Sequence, residues 1–138
     1  MLYSRLTPAS FKGCSMDWAC PNATATIVSM RLWLAVRTGV TVVLKGHCTV
    51  VATREQYYVN QTGNAGMATA GTGDVLTGVI AALMGQGMSA MDAAILGVRA
   101  HGSGDAAAAH HGRISMTALD LLDALAEAFS DLEHEAHR

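Results

Sequence analysis

An α/β fold, built as a short sheet followed by three helices, is predicted by three features of this 138-residue sequence. β-Branched runs crowd residues 40–59, apolar residues recur at helical spacing from Val75 onward, and a glycine-rich stretch divides the two regions. Composition agrees with one folded domain, since 51% of the residues are hydrophobic, 14% are charged and the formal net charge is −2. Disorder needs the opposite balance. Without a basic excess there is nothing to neutralise a phosphate backbone, so nucleic acid is not an expected partner. The 14% charged fraction is well below the ~25% of ordinary domains, which implies that part of the surface is covered, by a homo-oligomer or by more of the same domain.

The elements follow in order. Residues 1–30 carry little pattern. Arg31–Arg37 reads as the end of a helix closed by Gly39, because glycine accepts the left-handed conformation that ends helices. Val40–Leu44 reads as a buried strand that stops at Lys45-Gly46. Cys48–Ala52 and Gln56–Val59, parted by the polar Thr53-Arg54-Glu55, read as a hairpin. Gln61–Gly66 must be loop. Thr72-Gly73-Asp74 opens a helix carrying Val75, Leu76, Val79, Ile80 and Leu83 on one side, closed by Gly85 and Gly87. Ser89-Ala90-Met91-Asp92 resembles a capping box, with Asp in place of Glu, and leads into an Ala-rich helix to about His110. Thr117-Ala118-Leu119-Asp120 repeats the device, and its helix should bury a stripe of Leu119, Leu122, Ala126 and Phe129 before fraying in the charged tail Asp131–Arg138.

Three cysteines, Cys14, Cys20 and Cys48, are too few and too irregularly spaced for a disulfide framework or a zinc site, so a reducing compartment is expected. The first residues show no secretory pattern, and the apolar stretches are short or broken by Arg31 and Arg37. A soluble, cytoplasmic protein with no membrane partner is the expectation.

The chemistry concentrates in Gly63–Asp74. Glycines let a backbone approach a ligand closely, and here they precede a helix, whose first N–H groups and partial positive charge suit an anion. The implied ligand is a phosphate. A Walker loop is excluded because the stretch has no lysine, and the dinucleotide fingerprint is excluded because Leu76 stands where its third glycine belongs. What remains is Gly71-Thr72-Gly73-Asp74, a carboxylate just inside an anion hole. That arrangement suits phosphoryl transfer to a hydroxyl: the N–H groups stabilise the phosphoryl while Asp74 aligns the hydroxyl and accepts its proton late. On these four residues alone a plain turn with a first-turn Asp explains the sequence equally well.

The wider stretch Asn64–Gly78 closely resembles the signature of the ADP/ATP-dependent NAD(P)H-hydrate dehydratases, a family of the ribokinase-like superfamily. Val43–Val51 also resembles that family's nucleotide-contacting strand-turn-strand, in the same order. The resemblance implies the C-terminal part of a ribokinase-like three-layer α/β/α fold over residues 31–138, with residues 1–30 showing little likeness. It implies that Asp74 binds the hydrated nicotinamide and activates its hydroxyl as the catalytic residue. Gly71, Thr72 and Gly73 would form the anion hole against the nucleotide phosphates, and Lys45, Gly46, His47, Cys48 and Thr49 would contact the adenine nucleotide. The reaction implied is ADP- or ATP-dependent dehydration of the S-form of hydrated NADH or NADPH, with Mg²⁺ accompanying the nucleotide and an NAD(P)H-hydrate epimerase as a functional companion. The chain departs from the family at Leu6-Thr7-Pro8-Ala9-Ser10, where a Thr-Pro-His is usual, and it is about half the family domain's length. A small-molecule kinase of the same superfamily and a non-catalytic remnant are the alternatives.

Other residues receive plainer readings. The adjacent His110 and His111 would point about 100° apart on a helix and cannot share a metal, so no metal site is expected among the six histidines His47, His101, His110, His111, His134 and His137. The eight methionines fill core or interface. Asp120 and Asp123 belong on a solvated face, and Gly97–Ala109 permits close helix packing.

Overall fold

A computed structural model gives the fold of residues 33–104 and 110–137. The segment 1–30, with Thr7, Pro8, Cys14 and Cys20, lies outside the described residues, as do Arg31, Leu32, residues 105–109 and Arg138. The architecture is α/β, as the β-branched and helical periods require: β1 (Val42–Leu44), β2 (Val50–Ala52), β3 (Tyr57–Val59), then α1 (Thr72–Gly85), α2 (Ala90–Gly102) and α3 (Ala118–Ala136).

Residues 33–38 are helical, and Gly39 ends them at φ +71° with its N–H on the Ala35 carbonyl at 2.8 Å, the left-handed stop expected of that glycine. The sheet is antiparallel in the order β1-β2-β3. Val43 pairs with Val51, and Val51 with Tyr58. These three lie in one row across the sheet, so their side chains share a face, and that face packs against Leu76, Ala94, Ile95 and Val98. β2 is buried along its length, whereas β1 is half-buried to exposed rather than the buried strand its composition suggests. Among the described residues β1 has only β2 beside it, which leaves it an edge.

α2 is the most enclosed element. Ala93 to Val98 are all buried, the pattern of a helix covered on every side. Gly97 is the point of closest approach to α1, because an added Cβ there would lie 2.8 Å from Ile80 Cγ1. Ser89 caps α2 by accepting from Asp92 N–H and donating to its carboxylate, but the box is complete only at α3, where Thr117 and Asp120 satisfy each other's backbone N–H groups. Those bonds to Thr117 hold the Asp120 carboxyl below its ordinary range.

α3 turns a different face inward from the one predicted. Leu121, Leu125, Ala128 and Leu132 are buried, while Leu119 and Leu122 are exposed; only Phe129 of the predicted stripe packs on the core. The helix carries two overlapping apolar sets, and contact with α1 and α2 selects between them. Leu121, 1% exposed, closes a cluster with Met67 and Met116 beneath the glycine loop. Leu121→Ala should therefore destabilise the protein by about 3 kcal/mol in denaturant unfolding, whereas Leu119→Ala should change it by under about 0.5 kcal/mol.

Candidate functional site

The N-terminus of α1 is left open. Its N-cap is Gly71, at φ +88°, a left-handed conformation that only glycine adopts without strain, and no side chain caps the helix. The first intrahelical bond is Val75 N–H to Gly71 O at 3.1 Å. Among the described residues the N–H groups of Thr72, Gly73 and Asp74 have no acceptor, and they are the groups that make a helix N-terminus attractive to an anion.

Lys45, at the end of β1, reaches this point. A Cβ built on Gly73 would lie 3.9 Å from Lys45 Cδ, so the lysine stem runs alongside the first turn of α1. The structure thus brings together Lys45, Gly71, Thr72, Gly73 and Asp74, with the Asp74 side chain exposed in the first turn. It treats the remainder of the 45–49 turn differently. Thr49 is buried and its hydroxyl is occupied inside the turn, accepting from Gly46 N–H at 3.2 Å and donating to Gly46 O at 3.0 Å. Cys48 is buried at φ +56°, while Gly46 and His47 are exposed.

The Thr72 hydroxyl also faces inward. Its single hydrogen is shared between Met67 O at 2.9 Å and Thr69 O at 3.0 Å, drawing the loop onto the helix start, so Thr72 can meet a ligand only through its backbone.

The floor of the site is the last part of α2 and the residues just after it. Asn60 Nδ2 donates to Thr62 O and Val98 O, Asn64 Nδ2 donates to Gly104 O at 3.3 Å, and Asn64 Oδ1 accepts from Gly66 N–H at 2.8 Å. Gly66 fits only without a side chain, since a Cβ would stand 2.5 Å from Arg113 O. His101, 5% exposed, places Nε2 2.7 Å from Thr72 O. Burial lowers the His101 pKa from 6.5, the bond to Thr72 works the other way, and the Lys45 charge lowers it further. Sequence alone missed His101; its only local signal is a histidine in the last turn of a largely apolar helix.

Among the described residues no three His, Cys, Asp or Glu side chains gather as a metal site, and no helix is long and apolar enough to cross a membrane.

A family model described as NAD(P)H-hydrate dehydratase matches residues 6–127. The bifunctional NAD(P)H-hydrate repair enzyme of Moorella thermoacetica is 51% identical over 107 residues, which is 76% of this chain and 19% of that protein. The ADP-dependent (S)-NAD(P)H-hydrate dehydratase of Neisseria meningitidis serogroup B is 54% identical over 66 residues, 47% of this chain and 22% of that one. The crystal structure of the ADP/ATP-dependent NAD(P)H-hydrate dehydratase of Bacillus subtilis, co-crystallised with ATP and Mg²⁺, superposes with a TM-score of 0.68 at 28% identity over 77% of this chain and 40% of that chain. The chain thus spans about a fifth of the length of the curated relatives it matches.

The buried contacts set two expectations. Thr72→Val removes the one hydroxyl hydrogen that the Met67 and Thr69 carbonyls share and should lower stability by about 1 kcal/mol in denaturant unfolding. The depressed His101 pKa means that the unfolded chain takes up a proton more readily than the folded one. Stability should therefore be full above pH 6.5, fall as pH drops below it and level off beneath the folded value. Unfolding midpoints measured from pH 8 to pH 5 should show a shallower acid slope in His101→Gln than in the wild type.

Proposed function

This chain belongs to the NAD(P)H-hydrate dehydratase family, and on that premise we propose that it carries out ADP-dependent, or ATP-dependent, dehydration of the S-form of hydrated NADH and NADPH. The observation that carries the reading is the uncapped start of α1, with Asp74 in its first turn and Lys45 beside Gly73. The names of the Moorella and Neisseria relatives support the substrate, and the Bacillus co-crystal supports the nucleotide.

In this reading the N–H groups of Thr72, Gly73 and Asp74 receive the phosphoryl oxygens, and Lys45 offsets the nucleotide's negative charge. Gly46 and His47 lie on the exposed part of the turn that would follow the nucleotide; Cys48 and Thr49 hold the turn's shape beneath them. Asp74 aligns the hydroxyl of the hydrated nicotinamide. The hydroxyl oxygen forms the new bond to phosphorus as the bond to the leaving nucleotide oxygen breaks, and the Asp74 carboxylate takes the hydroxyl proton. The C–O bond of that phosphate ester then breaks, inorganic phosphate leaves with the electron pair, and loss of a ring proton from the neighbouring carbon restores the dihydronicotinamide. Mg²⁺ arriving with the nucleotide would neutralise phosphate charge, and among the described residues no cluster of His, Cys, Asp or Glu stands to hold it.

The reading extends to a cytoplasmic setting and to a companion epimerase activity, which the bifunctional description of the Moorella relative supports. A homo-oligomer would cover exposed apolar residues such as Leu44, Met84 and Leu122.

The test is an assay of hydrated NADH with ADP, read as returning NADH absorbance. Asp74→Asn should lower turnover by about 10²-fold or more with ADP binding retained. Lys45→Ala should raise the KM for ADP about tenfold, the effect of one lost charge-assisted contact. Phosphorylation of small alcohols without return of NADH would overturn the dehydratase reading in favour of a kinase.

A further inference from the structure

His101 takes no part in the reading above, yet it is the buried titratable side chain that touches the backbone of the anion hole itself. Its Nε2 is 2.7 Å from the Thr72 carbonyl oxygen. A carbonyl oxygen can only accept, so Nε2 must carry the hydrogen, and burial beside the Lys45 charge favours the neutral ring in that tautomer.

The bonded oxygen matters because of what shares its plane. The Thr72 carbonyl and the Gly73 N–H belong to one rigid, planar peptide group and point in opposite directions. Holding the oxygen toward α2 therefore fixes the direction in which the Gly73 N–H leaves the helix start, and polarising the carbonyl strengthens that N–H as a donor. As the first residue of α1, Thr72 already engages this oxygen in the helix's own bonding, and the ring adds a lateral hold to a peptide flanked by Gly71 and Gly73, whose own backbones offer little stiffness. The Thr72 side chain supplies none to this oxygen, since its hydroxyl is engaged with Met67 and Thr69. The Lys45 stem passes Gly73, the residue whose N–H this peptide carries.

We propose that His101 is a positioning residue of the phosphate site: its Nε2–H clamps the Thr72–Gly73 peptide so that the Gly73 N–H is aimed at the transferring phosphoryl group. The proposal rests on the nucleotide reading of the α1 N-terminus, and it assigns His101 no contact with substrate.

Two measurements on the ligand-free chain and one with ADP decide it. Nitrogen-15 spectra of the wild-type imidazole should show the Nε2–H tautomer, and the Nδ1–H tautomer would overturn the clamp whatever any variant does. His101→Leu should move the Gly73 amide resonance and weaken ADP about tenfold, while His101→Gln, whose amide can donate to the same oxygen, should restore both to within about twofold of wild type. An unmoved Gly73 amide in His101→Leu, or a glutamine variant as impaired as the leucine one, would overturn the proposal. Failure of the wild type to bind ADP would count against the nucleotide reading alone, since the tautomer and the Gly73 amide are read without ligand.

Discussion

The short polar contacts between the end of α2 and the glycine loop ahead of α1 are the constraint on which the candidate site depends. A loop rich in glycine can bring its backbone against a phosphate, but the same freedom makes an ordered conformation entropically expensive. Here the loop is fastened at Asn60 to Val98, at Asn64 to Gly104 and at Thr72 to His101. These fastenings need bare backbone on the other side. A Cβ on Gly102 would fall on the Thr62 hydroxyl and 2.7 Å from Asn60 Nδ2, so the loop lies against α2 only because that residue has no side chain.

The element that does the fastening is also the one least free to move. α2 is enclosed by α1, α3 and the sheet, with Leu96 and Ala100 in the cluster shared with α3 and Ala94, Ile95 and Val98 in the cluster under β2. Motion of its last turn would disturb both clusters, so the floor beneath the helix start inherits the rigidity of the core. Packing in this chain thus acts on the candidate site indirectly: burying Leu96 fixes α2, α2 fixes His101, and His101 reaches the backbone at the start of α1.

What could be read from the sequence follows from how local each signal is. The hairpin, the glycine stop at Gly39 and the start of α1 at Thr72 are written in residues adjacent to them, and the structure has all three. The Gly71–Asp74 pattern by itself reads equally as a plain turn with a first-turn Asp; it stood out only because Asn64–Gly78 around it and Val43–Val51 before it resemble one family in the same order. The inward face of α3 was not legible: Leu119, Leu121, Leu122 and Leu125 permit two helical stripes, and only the positions of Met67, Met116 and the first two helices choose Leu121. Hydroxyl directions were equally hidden. Thr49 and Thr72 could have faced a ligand, and it is the carbonyls of Gly46, Met67 and Thr69 that turn them inward. His101 is the extreme case, because its partner lies 29 residues away and no spacing rule connects them.

A division of labour within single peptide groups follows from this arrangement. An anion hole needs N–H groups without protein acceptors, yet a peptide whose donor is unbonded has only its carbonyl by which the fold can hold it. At the start of α1 the outward-facing donors belong to peptides whose other ends are tied down: Gly71 O accepts from Val75 N–H, and Thr72 O receives the His101 ring. The ligand-facing side must stay bare for an anion to bind, so the precision of that side has to come from the opposite side of the same planar group. If the start of α1 receives a phosphate as proposed, residues that never touch it take part in setting the geometry in which it is met, and substitutions in the last turn of α2 bear on the site as well as changes in the glycine loop.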